Sequence, residues 1–207
     1  MFRDRTDAGR RLGSALLSVG RDALVLALPR GGAPVAREVA TALGVELGLF
    51  LVRKLGVPGR EELAMGALAS GGVRILNDEV IRYAGITEAE LERVTEAEQR
   101  ELERRERLYQ VGRKPLRMSG RTVILVDDGL ATGATMRAAL RAVRSRGAER
   151  VIVAVPVAPR EAVAQLKVEA DDVICLETPE PFIAVGRWYQ RFGQLSHADV
   201  VEALTLD

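Results

Sequence analysis

"VILVDDGLATGATMRAAL", residues 123–140, runs from an aliphatic stretch through two adjacent acids and a small, glycine-bearing segment into helix formers. The aliphatic part has no polar alternation, the pattern of a strand covered on both faces, and "ATMRAAL" places a helix directly after the loop. The same succession recurs along the chain. "ALVLAL" (23–28), "VELGLFLV" (45–52), "TVILV" (122–126), "VIVAVPV" (151–157) and "VICL" (173–176) alternate with helix candidates at 33–43, 133–146 and 160–168. Nearly continuous apolar strands separated by helices predict an α/β fold, an open parallel sheet flanked by helices.

Two regions interrupt the alternation. In "ELAMGALASGGVRILND" (62–78), Gly71 and Gly72 separate two short apolar runs at the spacing of a tight hairpin turn. "ITEAELERVTEAEQRELERRERLYQ" (86–110) then carries charge on nearly every turn, with Glu96 and Arg100, Glu101 and Arg105, and Glu103 and Arg107 spaced for i,i+4 pairs. This reads as a long, solvated connecting helix. A weak stripe of Leu91, Val94, Leu102 and Leu108 offers docking on a body or a second subunit as the alternative.

The chain has 207 residues, 47% hydrophobic and 29% charged, enough for one core with an insertion. A formal net charge of +1 lacks the positive excess of a broad nucleic-acid or anionic-membrane binder, so no nucleic-acid partner is expected and any anion is bound locally. The single cysteine, Cys175, excludes an internal disulfide framework; inside its apolar run it is expected to be buried and inert. No apolar run is long enough to span a bilayer, and "MFRDRTDAGRRLGSALL" begins as an amphipathic helix, without the apolar stretch of a secretory leader. A cytoplasmic location is the expectation.

In an open parallel sheet, ligands bind beyond the carboxyl ends of the strands. Three loops at those ends are unusual. After "TVILV" come Asp127 and Asp128, then Gly129, and Ala131, Thr132, Gly133, Ala134 and Thr135 at a helix start, where backbone N–H groups and the dipole favour an anion. Like charges repel, so the carboxylates suit hydroxyl donors, a metal ion, or both. A vicinal diol near a phosphate, a ribose 5-phosphate, meets both halves; a capped strand-to-helix turn is the plain alternative. In "ALPRGGAPVAREVATALG" (27–44), Arg30 beside Gly31 and Gly32 offers a forked cation next to bare backbone, suited to pyrophosphate, or an ordinary turn with an exposed arginine. In "LVRKLGVPGREELAMG" (51–66), Arg53 and Lys54 are read as closing a strand before a loop able to move at Gly56, Pro58 and Gly59. Glu61 and Glu62 in that loop could reach an acceptor nitrogen, although a solvated edge is the commoner use of such charges.

"VILVDDGLATGAT" resembles the phosphoribosyl pyrophosphate (PRPP) signature of the type I phosphoribosyltransferases, and "LPRGGAPVAREVATALG" resembles the pyrophosphate loop of their xanthine-guanine branch. "RKLGVPG" is more loosely similar to the family's mobile loop. The resemblance implies one phosphoribosyltransferase domain over 1–207, with a hairpin and charged helix inserted at about 56–118 and a C-terminal hood at about 177–207. It further implies that Asp127 and Asp128 hold the ribose hydroxyls, that Gly129 and Ala131 through Thr135 cradle the 5-phosphate, and that Arg30, Gly31 and Gly32, helped by Arg53 and Lys54, bind pyrophosphate. A strained, often cis, peptide belongs to that pyrophosphate loop in the family. Mg2+ would bridge substrate oxygens, reaching Asp127 and Asp128 indirectly through water or substrate. The implied activity is transfer of 5-phosphoribosyl from PRPP to a nitrogenous base, with pyrophosphate released, in nucleotide salvage, and the implied assembly is a homodimer. A PRPP- or nucleotide-sensing regulator on the same fold, and a hydrolase of the same substrate, are the rivals.

The acceptor region departs from the oxopurine pattern. In "PEPFIAVGRWYQRF" (179–192), Phe182 stands one residue further from Gly186 than the stacking aromatic of that pattern, the later aspartate position is Gln190, and "VAVPVAPRE" (153–161) has no base-reading lysine. Phe182 with Ile183 is the candidate base wall, against a small aromatic core as the other use; for Trp188 and Tyr189 the core is preferred. His197 has no partner visible in sequence and is expected to cap or neighbour the last helix.

Overall fold

The structure, a computed structural model, describes residues 1–109 and 116–205. In chain order it comprises α1 (Arg5–Ala15), β1 (Leu24–Ala27), α2 (Gly32–Leu43), β2 (Glu46–Leu49), β3 (Val52–Val57), β4 (Arg60–Ala69), β5 (Val73–Leu76), α3 (Asp78–Ala84), α4 (Glu88–Tyr109), β6 (Thr122–Val126), α5 (Ala134–Ser145), β7 (Arg150–Val157), α6 (Arg160–Glu169), β8 (Asp172–Glu177), a 3-10 turn (Val185–Trp188) and α7 (His197–Ala203). Five parallel strands form the central sheet, as the aliphatic runs predict, and their order is β2-β1-β6-β7-β8.

Strand side chains alternate between two buried layers. Val25, Ala27, Ile124 and Val126 meet α1 and α2, whereas Leu24, Leu26, Val123 and Leu125 meet α5 and α6. Both faces being covered is why the runs lack polar positions, and each fully buried aliphatic side chain contributes about 1.5–3 kcal/mol. Gly9 and Gly13 bring α1 down onto α2, since a Cβ at either would stand 2.7 Å from the Val35 carbonyl or 2.8 Å from the Ala42 Cβ.

Between β2 and β6 the chain builds a second sheet, antiparallel in the order β3-β4-β5. The turn at Gly71 and Gly72 joins β4 to β5, where the sequence places a hairpin. A second hairpin, β3 to β4, turns at Pro58 and Gly59, and it corrects two expectations. The stretch 45–52 is two strands, and Arg53 and Lys54 lie inside β3 rather than closing a strand before a loop. Leu55 and Val57, 0% and 3% exposed, face the core at period two, and that alternation overrides the glycine at 56. The second sheet begins at Val52, ahead of the expected 56, and residues 110–115 of the expected insertion lie outside the described residues.

Helix α4 does more than connect. Leu102 is 1% exposed, Tyr109 4% and Thr95 8%, with Leu91 and Val94 packed alongside, so the weak stripe docks on the α2-side core; only Leu108 stands in solvent. The opposite face keeps the expected ion pairs Glu96–Arg100 at 3.8 Å and Glu101–Arg105 at 2.7 Å, while Glu103 accepts from Gln99 instead.

Beyond β8 the chain folds as a hood together with the N-terminus. The Phe2 N–H donates to the Trp188 carbonyl at 2.7 Å, and the Gln190 N–H to the Phe2 carbonyl at 2.9 Å. Phe2, Ala8, Val157 and Tyr189 form a small core, against which Phe182, Val185 and Trp188 pack. His197 opens α7, capped by Ser196, and finds the partner that sequence did not reveal: its Nδ1 and the Tyr109 hydroxyl are hydrogen-bonded at 2.6 Å. Residues 206–207 of the expected hood lie outside the described chain. Among the described residues no helix is long and apolar enough to cross a membrane.

Candidate functional site

Strand order fixes where a ligand pocket must open. From β1 the chain crosses to β2 on one side, and from β6 to β7 on the other, so the loops after β1 and β6 diverge and leave a crevice at the carboxyl edge of the sheet. Two of the three loops singled out in the sequence meet there.

Asp127 and Asp128 follow β6 directly. The Asp128 N–H donates to Asp127 Oδ1 at 2.8 Å, which fixes the first carboxylate against the backbone of the second. Burial, and then the charge of Asp128 beside it, push the Asp127 carboxyl well above the usual range. Asp128 is also raised by burial, against the opposing hydrogen bond and charge of Arg5.

The loop after β1 lies on top of the acids. A Cβ at Gly31 would collide with the Asp128 carboxylate, and one at Gly32 would stand 2.6 Å from the Val126 carbonyl and 2.9 Å from the Asp127 Cα. Only glycines allow this approach. The Pro29–Arg30 peptide bond is cis. Arg30 is exposed and, among the described residues, engaged in no ion pair, so its fork is free at the crevice rim.

Beyond Asp128, Ala131, Thr132 and Thr135 are exposed, and Gly133, at φ 73°, takes the left-handed turn that starts α5. Thr132 Oγ1 accepts from the Ala134 N–H at 3.4 Å. This loop borders a cavity of about 520 Å³ lined by Glu62, Ala131, Thr132, Ala134, Arg137 and Pro159, among others. The second hairpin thus reaches the helix start through Glu62.

Arg53 and Lys54 are already engaged. Arg53 pairs with Glu98 of α4 at 2.6 Å, both partly buried, and Lys54 pairs with Glu62 at 3.4 Å, where Glu62 is almost fully exposed. Phe182 is half-buried in the hood core, and Ile183 is 69% exposed. Cys175 is half-buried rather than buried, its thiol pushed up by burial to about 11 and donating to the Glu177 carbonyl.

Arg5, Phe192 and Gly193 of the crevice are absent from the sequence assignments, whereas Tyr189 is buried as the core aromatic expected and also reaches the acid loop. Arg5 of α1 donates through Nε to Asp128 Oδ2 at 2.8 Å and through a terminal nitrogen to the Gly193 carbonyl at 2.9 Å, and its guanidinium lies 3.9 Å over the Phe192 ring. The Tyr189 hydroxyl donates to the Asp128 carbonyl at 2.6 Å. One signal did exist for Arg5: it stands in line with the buried Ala8, Gly9 and Leu12 on the apolar stripe of α1, an odd place for a charge.

The chain that carries these acids, this helix start and this arginine–glycine loop has relatives. A Mycobacterium tuberculosis protein provisionally named phosphoribosyl transferase is 46% identical over 205 residues, matching 99% of this chain and 46% of its own length. The chain thus spans about half the length of that curated relative. The crystal structure of TT1426 from Thermus thermophilus shares 46% identity and a TM-score of 0.92, covering 99% of this chain and 97% of that one. A purine phosphoribosyltransferase from Pyrococcus horikoshii shares the fold, with a TM-score of 0.52 at 16% identity over 93% of each chain. Residues 10–190 match the family described as the phosphoribosyl transferase domain, and it is to this family that the chain belongs.

Proposed function

We propose that the protein transfers the 5-phosphoribosyl group of PRPP to a nitrogenous acceptor, in nucleotide salvage. The observation that carries this is the contact between the two loops: Gly31 lies directly against the Asp128 carboxylate, so a diol on the acids and an anion on Arg30 and the backbone of Gly31 and Gly32 belong to one bound molecule. The helix start at Ala131–Thr135, where Ala131, Thr132 and Thr135 are exposed, receives the 5-phosphate through backbone N–H groups. Arg30 is the cation available to the diphosphate. Lys54 can join it by leaving Glu62, because an exposed pair of this kind is worth about 1 kcal/mol or less. Arg53, fixed to Glu98, is the less available of the two.

Catalysis on such a scaffold is orientation and charge stabilisation. The C1–O bond to the diphosphate breaks with its electron pair on the leaving oxygen, the acceptor nitrogen bonds to C1 from the opposite face, and the nitrogen's proton passes to the departing diphosphate. Arg30 and the loop amides stabilise charge on the departing diphosphate, and Asp127 and Asp128 hold the ribose so that C1 faces the hood. Hood and hairpin exclude water from the cation-like centre. Among the described residues no group of three or more His, Cys, Asp or Glu side chains forms a metal cage. The acid pair nevertheless fits Mg2+ held mainly by substrate oxygens and water, and such an ion would neutralise diphosphate charge.

Incubation with PRPP, Mg2+ and a panel of nitrogenous bases, with pyrophosphate release followed, tests the proposal. Base-dependent release is expected. Release that needs no base would replace transfer by hydrolysis, and tight PRPP binding without release would make the protein a sensor.

A further inference from the structure

Among the described residues, Arg5 stands apart from the other paired arginines. Its side chain is 12% exposed and its partner Asp128 13%, whereas the surface ion pairs of α4 are far more open. Among the described residues it is the cation bonded to the acid pair; Asp127 has none. One guanidinium makes three unlike contacts, donating to the Asp128 carboxylate and to the Gly193 carbonyl and laying its face on Phe192. A planar fork with five donors does this, and an ammonium does not.

The geometry is selective at Asp128. Arg5 takes Oδ2, the Tyr189 hydroxyl takes the main-chain carbonyl, and Gly31 closes over the carboxylate, so the carboxylate plane is fixed before any ligand arrives. Left alone, two adjacent buried carboxylates would turn apart to reduce their repulsion. A guanidinium on one of them removes that tendency and leaves the other oxygen, Oδ1, for a hydroxyl donor.

We infer that Arg5 is a positioning residue for the donor sugar, holding Asp128 in the orientation that receives the ribose hydroxyls while tying the hood at Phe192 and Gly193 to the same carboxylate. The inference rests on the proposed PRPP site and adds to it a residue from the N-terminal helix, outside the loops that define that site. Arg5 acts through Asp128, so its contribution belongs to ligands that carry the ribose and not to pyrophosphate alone.

The test is calorimetric titration of the full chain, as wild type, Arg5→Ala, Arg5→Lys, Asp128→Asn and the Arg5→Ala/Asp128→Asn double variant, with PRPP, ribose 5-phosphate and inorganic pyrophosphate. Loss of one charge-assisted contact to an aligned carboxylate corresponds to a Kd for PRPP and ribose 5-phosphate raised about tenfold in Arg5→Ala. Pyrophosphate affinity is expected to stay within about twofold, since a distortion of the whole crevice would weaken all three ligands alike, and the double variant is expected to bind PRPP no more weakly than Asp128→Asn alone. Arg5→Lys, which keeps the charge and loses the fork, is expected to fall between. Equal losses for all three ligands, additive effects in the double variant, or Arg5→Ala binding PRPP like wild type would overturn the inference. Wild type that binds no PRPP would overturn the proposed function and this role with it, an outcome distinct from the others.

Discussion

At the residue scale, the site is built against stability. A carboxyl whose folded pKa lies above its unfolded value stabilises the fold fully only while protonated in both states, and that contribution is lost as pH rises through the raised folded value. Asp127 is in this class because it is buried and sits beside Asp128. In the ligand-free protein, Asp127→Asn is therefore expected to raise the thermal midpoint at neutral pH, by about 2–4 °C for each kcal/mol relieved in a chain of this size, and to make no difference below the usual carboxylate range. The Asn oxygen still accepts the Asp128 N–H, so the loop geometry survives the change. Melting curves across pH would contradict the assignment if the variant were less stable at neutral pH. Replacing both acids by Asn is expected to abolish most PRPP affinity while the protein stays folded, and calorimetry showing unchanged affinity would remove the ribose role. Both acids were legible in sequence because they follow an apolar strand without a spacer. Arg5, from the far end of the chain, was not, because its partner is 123 residues away, and its place on the apolar stripe of α1 marks an unusual charge without naming that partner.

At the element scale, the parallel sheet was readable and the insertion only partly so. Strands β1, β6 and β7 are uniformly apolar because both faces are covered, and that uniformity survives in a single sequence. Strand β3 has polar and small residues on one face, so "RKLGVPG" carries turn chemistry and strand alternation at once, and only packing decides between them. Helix α4 misleads for a similar reason. Its apolar stripe is thin, yet Leu102, Thr95 and Tyr109 are buried against the hairpin sheet and α7. Leu102→Ala is expected to lower the unfolding free energy by about 2–4 kcal/mol, the range for a leucine removed from a packed site, whereas Leu108→Ala, at 42% exposure, is expected to change it by less than about 0.5 kcal/mol. Chemical denaturation of the two variants checks this; similar small effects would return α4 to the status of a solvated connector.

At the scale of the whole molecule, the two ends of the chain meet over the crevice. The Phe2 backbone pairs with residues 188–190, its side chain is fully buried 5.4 Å from the Tyr189 ring, and Arg191 reaches back to Asp4 at 2.6 Å. Sequence shows the aromatic residues of the hood but not that Phe2 completes their core, since that contact exists only after α1 has docked on α2. The consequence is a physical link from the N-terminal segment to the acid pair: Phe2 supports Tyr189, and Tyr189 holds the Asp128 carbonyl. The chain's one tryptophan, Trp188, packs in this cluster with its indole N–H buried and, among the described residues, without a hydrogen-bond partner, so its emission reports the state of the hood. Phe2→Ala removes a fully buried ring, a loss of about 3–5 kcal/mol in a packed core, and is expected to shift Trp188 emission to longer wavelength as water reaches the indole. PRPP affinity should fall in the same variant, because Tyr189 then holds Asp128 less firmly. A lower melting point with unchanged emission and unchanged PRPP affinity would show that the two ends meet for stability alone, with no bearing on the crevice beneath them.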